Sequence, residues 1–195
     1  MIITGKEDLR VQKTIAAINA AFAAMLLESD YGDLSIKELC ARAKINKKTF
    51  YRYYGTIHDL FREMLEQLSL GYLARVKDLR LPEDLAAINR EFFLYAAEQG
   101  TLYEKLICHE SYTAHGGSML GGLVRRTWSG SSFFASLDDS RQRLLLAWLH
   151  STGMEMYRQW VLDGRRMPLE DVIAFSGSLL CRGVQGLMDA GKPAA

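Results

Sequence analysis

The stretch INKKTFYRYY, residues 45–54, gathers groups suited to holding a polyanion. Lys47, Lys48 and Arg52 supply positive charge, Thr49 a hydroxyl, and Tyr51, Tyr53 and Tyr54 phenols, while no Asp or Glu occurs between Ala41 and Ile57. Such cations bind phosphate oxygens and, inside a groove, base edges; a tyrosine hydroxyl can donate to phosphate while its ring stays packed. A charge run is ordinarily a solvated helix face, so the meaning of this one depends on its flanks. A second group, Cys108, His109 and Glu110 with His115 nearby, has residue types for metal or nucleophilic chemistry. On a helix adjacent side chains point about 100° apart, so the trio cannot converge on one ion, and no H-E-x-x-H occurs. His109 or His115 is left as a polar group for a pocket wall. GGSMLGG follows no strand pattern and lacks the G-K-[ST] ending of a phosphate loop. The chain reads as a non-enzyme with no cofactor and no metal site.

A net charge of +1 over 195 residues means that any polyanion binding must be local. An apolar fraction of 49% is ample for a buried core. Cys40, Cys108 and Cys181 are odd in number and include no C-x-x-C, which argues against a disulfide framework or zinc site and fits a reducing cytosol. MIITGKEDLR has no apolar core after a basic start, and no uninterrupted apolar run approaches the ~20 residues that span a bilayer. A cytoplasmic protein away from membranes is expected.

The elements that must carry the basic segment are helices. Ile15, Ile18, Phe22 and Met25 recur at steps of three and four between Asp8 and Ser29, and SDYGD then makes a turn. Ser35 and Glu38 have capping-box spacing before Ile36, Leu39, Cys40 and Ala43, a short helix that KIN ends. Asn46 is a good N-cap for a third helix with Phe50 and Tyr54 turned inward and Lys47, Lys48, Thr49, Tyr51 and Arg52 more outward. Thr56 and Asp59 open a fourth helix towards Leu79. Pro82, Glu83 and Asp84 suit a helix start, and further helices are expected at 83–98, 101–113, 118–128, 138–163 and 168–189, with looser ground at GSSFFASLD. No sustained β alternation appears.

Two short helices joined by a tight turn form the helix-turn-helix arrangement, whose second helix enters the DNA major groove. From Arg42 to Arg52 five cations (Arg42, Lys44, Lys47, Lys48, Arg52) stand without an acid, so the local field is positive. The run SIKELCARAKINKKTFYRYYGTIHDLF resembles the DNA-binding signature of the tetracycline-repressor (TetR) family of bacterial transcriptional regulators, specifically over residues 9 to 65. By position, the resemblance implies base or backbone contacts for Lys47, Lys48 and Thr49, an added base contact for Lys37, and phosphate clamping for Tyr51, Arg52 and Tyr53. Two departures matter: Ile57 stands where a phosphate-binding lysine is usual, with His58 a partial substitute, and Gly55 where a polar or basic residue is common.

Aromatic residues crowd the second part of the chain. Phe92, Tyr95, His109, Tyr112, Trp128 and Trp148 are the candidates for a small apolar or aromatic effector, with Arg125 and Arg126 available to an anionic one and Gly116, Gly117, Gly121 and Gly122 able to yield on its entry. Leu145, Leu149, Thr152 and Met156, and Val172, Leu179, Gly183 and Gly186, form stripes with small residues that suit a four-helix interface between two subunits. The resemblance implies the same helix pair for dimerisation. The expected fold is all-α: a three-helix helix-turn-helix DNA-binding domain at 1–55, a linking helix at 56–81, and a helical ligand-binding and dimerisation domain at 82–195. The expected function is a homodimeric regulator of transcription, a repressor of a palindromic DNA operator released by its effector. The alternative is a helical docking protein that keeps the fold without DNA binding.

Overall fold

The computed structural model describes residues 8–108 and 130–190. Its helices are α1 (Leu9–Glu28), α2 (Ile36–Arg42), α3 (Lys47–Tyr53), α4 (Ile57–Val76), α5 (Leu85–Glu98), α6 (Gly100–Cys108), α7 (Ser132–Ser136), α8 (Asp139–Leu162) and α9 (Leu169–Ala190), with a 3-10 turn at Tyr31–Asp33 and no strand among the described residues. The starts follow local chemistry. The carboxylate of Asp8 accepts from Arg10 N at 2.7 Å, Ser35 Oγ from Glu38 N at 3.2 Å, Asn46 Oδ1 from Thr49 N at 2.8 Å and Thr56 Oγ1 from Asp59 N at 3.1 Å. Each satisfies an amide that the first turn leaves without a helical partner.

Three boundaries differ from the sequence expectation. Helix α4 ends at Val76 instead of reaching Leu79, and α5 begins at Leu85, after a cis Leu81–Pro82 bond. Asp84 makes no side-chain cap; its Oδ2 accepts from Arg80 N at 2.8 Å and closes a turn over the residues expected to be helical. GSSFFASLD contains α7, because Ser131 Oγ accepts from Phe134 N at 3.3 Å and Phe134 is only 2% exposed. The end of the helix expected at 101–113 and the whole of that at 118–128 lie outside the described residues.

One buried cluster runs from α1 (Ile18, Phe22, Met25) through Leu39, Phe50, Tyr54, Leu60 and Phe61 to Phe93 of α5, Leu106 of α6, Tyr157 of α8 and Ile173 of α9. A second lies further along α4, where Leu73 and Val76 meet Leu85, Ile88, Phe134, Leu146, Leu180 and Val184. The first cluster therefore joins the N-terminal helices to the rest of the chain. Helix α6 adds polar ties: Lys105 Nζ donates to Leu27 O at 2.8 Å, and buried Glu104 pairs with Arg165, whose guanidinium lies 5.8 Å from the Trp160 ring centre. Between α5 and α9, buried Asn89 donates to Ile173 O at 3.2 Å and accepts from Ser176 Oγ at 2.8 Å, flanked by a two-pronged Arg90–Glu170 pair at 2.5 and 2.8 Å. Such fully partnered buried polar groups fix helix register as apolar contact alone cannot.

Burial lowers the pKa of His150 on α8 below its ordinary 6.5. The unfolded chain therefore takes up this proton first: the stability is present above about pH 6.5 and lost as pH falls through the lower folded value. Thermal melts between pH 7.5 and 5.5 are expected to fall more steeply for the wild type than for His150→Gln. Parallel curves would contradict the assignment to His150.

Candidate nucleic-acid interface

Helix α2 buries Leu39 and Cys40 beneath and leaves Lys37 exposed. Its end is a Schellman turn: Ile45 N donates to Cys40 O at 3.0 Å and Lys44 N to Ala41 O at 3.2 Å. Lys44 takes the left-handed position, φ 54°, usually filled by glycine, and its side chain is thrown into solvent there. The chain then turns directly into the Asn46 cap of α3.

Helix α3 is seven residues long and depends on tertiary packing for its order. Phe50 is 0% and Tyr54 2% exposed, their rings 5.7 Å apart. Truncating a phenylalanine so buried costs roughly 3–5 kcal/mol. The opposite face presents Lys47, Lys48, Tyr51 and Arg52 to solvent, with Thr49 and Tyr53 half-buried beside them. Tyr51 is 54% exposed, its ring edge-on to Phe50 at 5.6 Å, so its hydroxyl stands away from the core. Thr49 Oγ1 donates to Asn46 Oδ1 at 3.0 Å, which leaves its lone pairs as acceptors. Lys37, Lys47, Lys48 and Arg52 form no ion pair with an acid among the described residues.

Arg42 differs. Its guanidinium meets Glu28 and Glu38, both at 2.6 Å, and these hydrogen bonds hold its pKa above the ordinary arginine value. The positive field that the sequence suggested from Arg42 onward starts at Lys44, because Glu28 and Glu38 are brought to Arg42 by folding. Other cations replace it. An open groove between the start of α1 and the α2–α3 turn is lined by Asp8, Leu9, Arg10, Lys13, Thr14, Ala17, Ala43 and Ile45, the Asp8 carboxylate being engaged as the cap of α1. Arg10 and Lys13 are exposed and form no ion pair with a described acid. The sequence expectation did not include Arg10 and Lys13; the available signal was two cations three apart in the helix preceding the helix-turn-helix.

Both departures at the start of α4 have structural causes. A Cβ on Gly55 would lie 3.1 Å from Asp59 Oδ2, which accepts from Thr56 Oγ1 at 2.9 Å, so the glycine makes room for the cap of α4. Ile57 packs against the core. His58 does not stand free as a substitute cation: its Nδ1 lies 3.3 Å from the Tyr31 hydroxyl and its ring stacks on Phe61 at 6.1 Å. Burial, and secondarily Asp59, raises the Tyr31 pKa.

Of the expected effector residues, Phe92 and Tyr95 both contact the Tyr72 ring, at 5.8 and 6.1 Å. Phe92 also faces Tyr157 and Gly153, whereas Tyr95 donates its hydroxyl to Leu68 O at 2.8 Å. Trp148 does not join them: it is 39% exposed and covers Gly183, where a Cβ would come within 2.8 Å of the indole. His109, Tyr112 and Trp128, with Arg125, Arg126 and the four glycines, lie outside the described residues. The expected subunit stripe is also shifted. Leu145, Leu149 and Val172 are turned into the chain's own core, while Leu144, Trp148, Phe175, Leu179 and Leu187 are among the exposed apolar residues of α8 and α9.

A short helix fixed by its apolar underside, presenting unpaired cations beside a tight turn from the preceding helix, is the arrangement of a helix-turn-helix DNA-binding element. Residues 18–64 match the family model described as bacterial regulatory proteins, tetR family, a match that spans the helix-turn-helix and the first part of α4. The whole fold is similar to a TetR transcriptional regulator from Streptococcus agalactiae 2603V (23% identity, 88% of this chain and 95% of that one, TM-score 0.59). It is also similar to a TetR-like transcriptional regulator from Rhodococcus sp. RHA1 (19% identity, 95% of this chain and 98% of that one, TM-score 0.55). At these identities the two likenesses concern the fold. No curated protein sequence matches the chain. No helix among the described residues is long and apolar enough to cross a membrane.

Proposed function

We propose that the chain is a homodimeric repressor that reads a palindromic DNA operator with α3 and is released by a small apolar or aromatic effector. The observation that carries this reading is the two-faced α3, with Phe50 sealed in the core and Lys47, Lys48 and Arg52 unpaired at the surface. Lys47, Lys48 and Thr49 meet base edges, Lys37 adds a base contact from α2, and Tyr51, Arg52 and Tyr53 clamp phosphates. The domains act as 1–55 for DNA, 56–81 as the link and 82–195 for effector and partner subunit. The effector is served by Phe92 and Tyr95, with His109, Tyr112 and Trp128; Trp148 is assigned to the subunit interface because it covers Gly183 among exposed apolar residues. A ligand that prefers one setting of α4 changes DNA affinity only by its differential affinity for the two settings, typically about 1–3 kcal/mol of coupling.

Selection from random duplexes tests this directly. The recovered sites are expected to be inverted repeats with half-site centres about 34–36 Å apart, or a multiple of that spacing. Sequences without two-fold symmetry would contradict it. Arg10 and Lys13 are assigned to the phosphates flanking each half-site. Replacing both with alanine in each subunit is expected to weaken operator and random duplexes alike, and each lost phosphate contact flattens the log K–log[salt] slope by about 0.9. An unchanged slope would place them off the DNA.

A further inference from the structure

The C-terminal end of α3 is tied to α4 by a buried side-chain hydrogen bond. The Tyr54 hydroxyl donates to Glu63 Oε1 at 3.1 Å, and the two residues are 2% and 7% exposed. Tyr54 caps α3, its own N–H returning to Phe50 O at 3.0 Å, while Glu63 lies in the second turn of α4. Apolar packing at Phe50 and Tyr54 holds α3 against the core but is non-directional, so it tolerates sliding and rotation about the helix axis. A hydrogen bond fixes direction, and a carboxylate taken from water needs donors.

We propose that Tyr54 and Glu63 are positioning residues for sequence reading: their hydrogen bond pins the end of the recognition helix to α4, so that α3 keeps its angle in the groove. The pin rests on the reading of α3 as a groove-entering helix. A binding constellation has to be held within about 0.5 Å and 10–20° of its productive geometry, and a helix of two turns cannot enforce that alone. Loss of the pin therefore damages base reading more than phosphate binding, because phosphate contacts follow the helix over small displacements.

The test is the ratio of affinities for a duplex selected by the wild-type chain and for a random duplex, at one salt concentration. Tyr54→Phe is expected to lower that ratio about tenfold or more, the range of a hydrogen bond to a charged group. Its affinity for random duplex is expected to stay within about twofold of wild type. Glu63→Gln keeps an acceptor oxygen and is expected to retain most of the ratio. The pair Tyr54→Phe with Glu63→Leu removes the hydrogen bond together with the buried carboxylate, and its ratio is expected to stay low in samples whose thermal melt matches wild type. That combination separates positioning from stability. A Tyr54→Phe ratio equal to wild type, or recovery of the ratio in the double variant along with its stability, would overturn the pin. A wild-type chain that prefers no sequence would remove the reading beneath it, and the pin as well.

Discussion

Leu179→Asp is expected to convert the dimer into monomers and to lower operator affinity by about 10²–10⁴-fold, the span by which linking two binding modules exceeds one. Leu179 is 49% exposed and stands one helical turn from Phe175, 58% exposed, with Gly183 a turn beyond it under the Trp148 indole. On a lone subunit this is an apolar face in water; in the proposed dimer a second copy covers it in a two-fold four-helix interface. An aspartate there is buried without a partner on association, a loss of about 3–5 kcal/mol for an uncompensated buried charge. Val172 provides the contrast. It is 6% exposed and sits in the chain's own core, so Val172→Asp is expected to unfold the subunit instead of separating two folded ones. Sedimentation with circular dichroism checks both. A folded Leu179→Asp dimer with normal DNA binding would place the interface elsewhere.

Lys47→Ala and Lys48→Ala are expected to weaken the operator by about 5- to 150-fold each where the lysine reaches a base edge, the ~1–3 kcal/mol of a good base contact. Each should also relax preference at one position of each half-site. Tyr51→Phe serves as the reference: its loss falls on selected and random duplexes together, since a phosphate contact carries no base information. Binding curves for the three variants on the selected site and on single-base variants of it distinguish the cases. Uniform loss from all three changes would reassign both lysines to phosphate.

Much of the interface was legible because its determinants are local. Asn46 three residues before Thr49, and Phe50 four residues before Tyr54, specify a capped helix with one apolar side, and the structure has that helix. What the sequence concealed depends on distance along the chain. Arg42 looked like part of the basic face until Glu28, fourteen residues earlier, came to it at 2.6 Å. Arg10 and Lys13 joined the groove because folding lays the start of α1 beside Ala43 and Ile45. The turn at Lys44 was hidden by residue type, since a lysine gives no sign of a left-handed backbone. On α8 the outward register slipped by one, from Leu145 and Leu149 to Leu144 and Trp148. LLLAWL is apolar on adjacent stripes, and only packing against α4, α5 and α9 chooses between them.

The most direct measurement is the affinity of the wild-type chain for the duplex flanking its own gene, followed from 50 to 200 mM salt. A dimer engaging phosphates with Arg10, Lys13, Tyr51, Arg52 and Tyr53 in each subunit, about 6–10 phosphates in all, is expected to lose about 10³–10⁵ in affinity over that range. Affinity that is absent, or indifferent to salt, would contradict DNA reading by α3 and favour a helical docking protein built on the same fold.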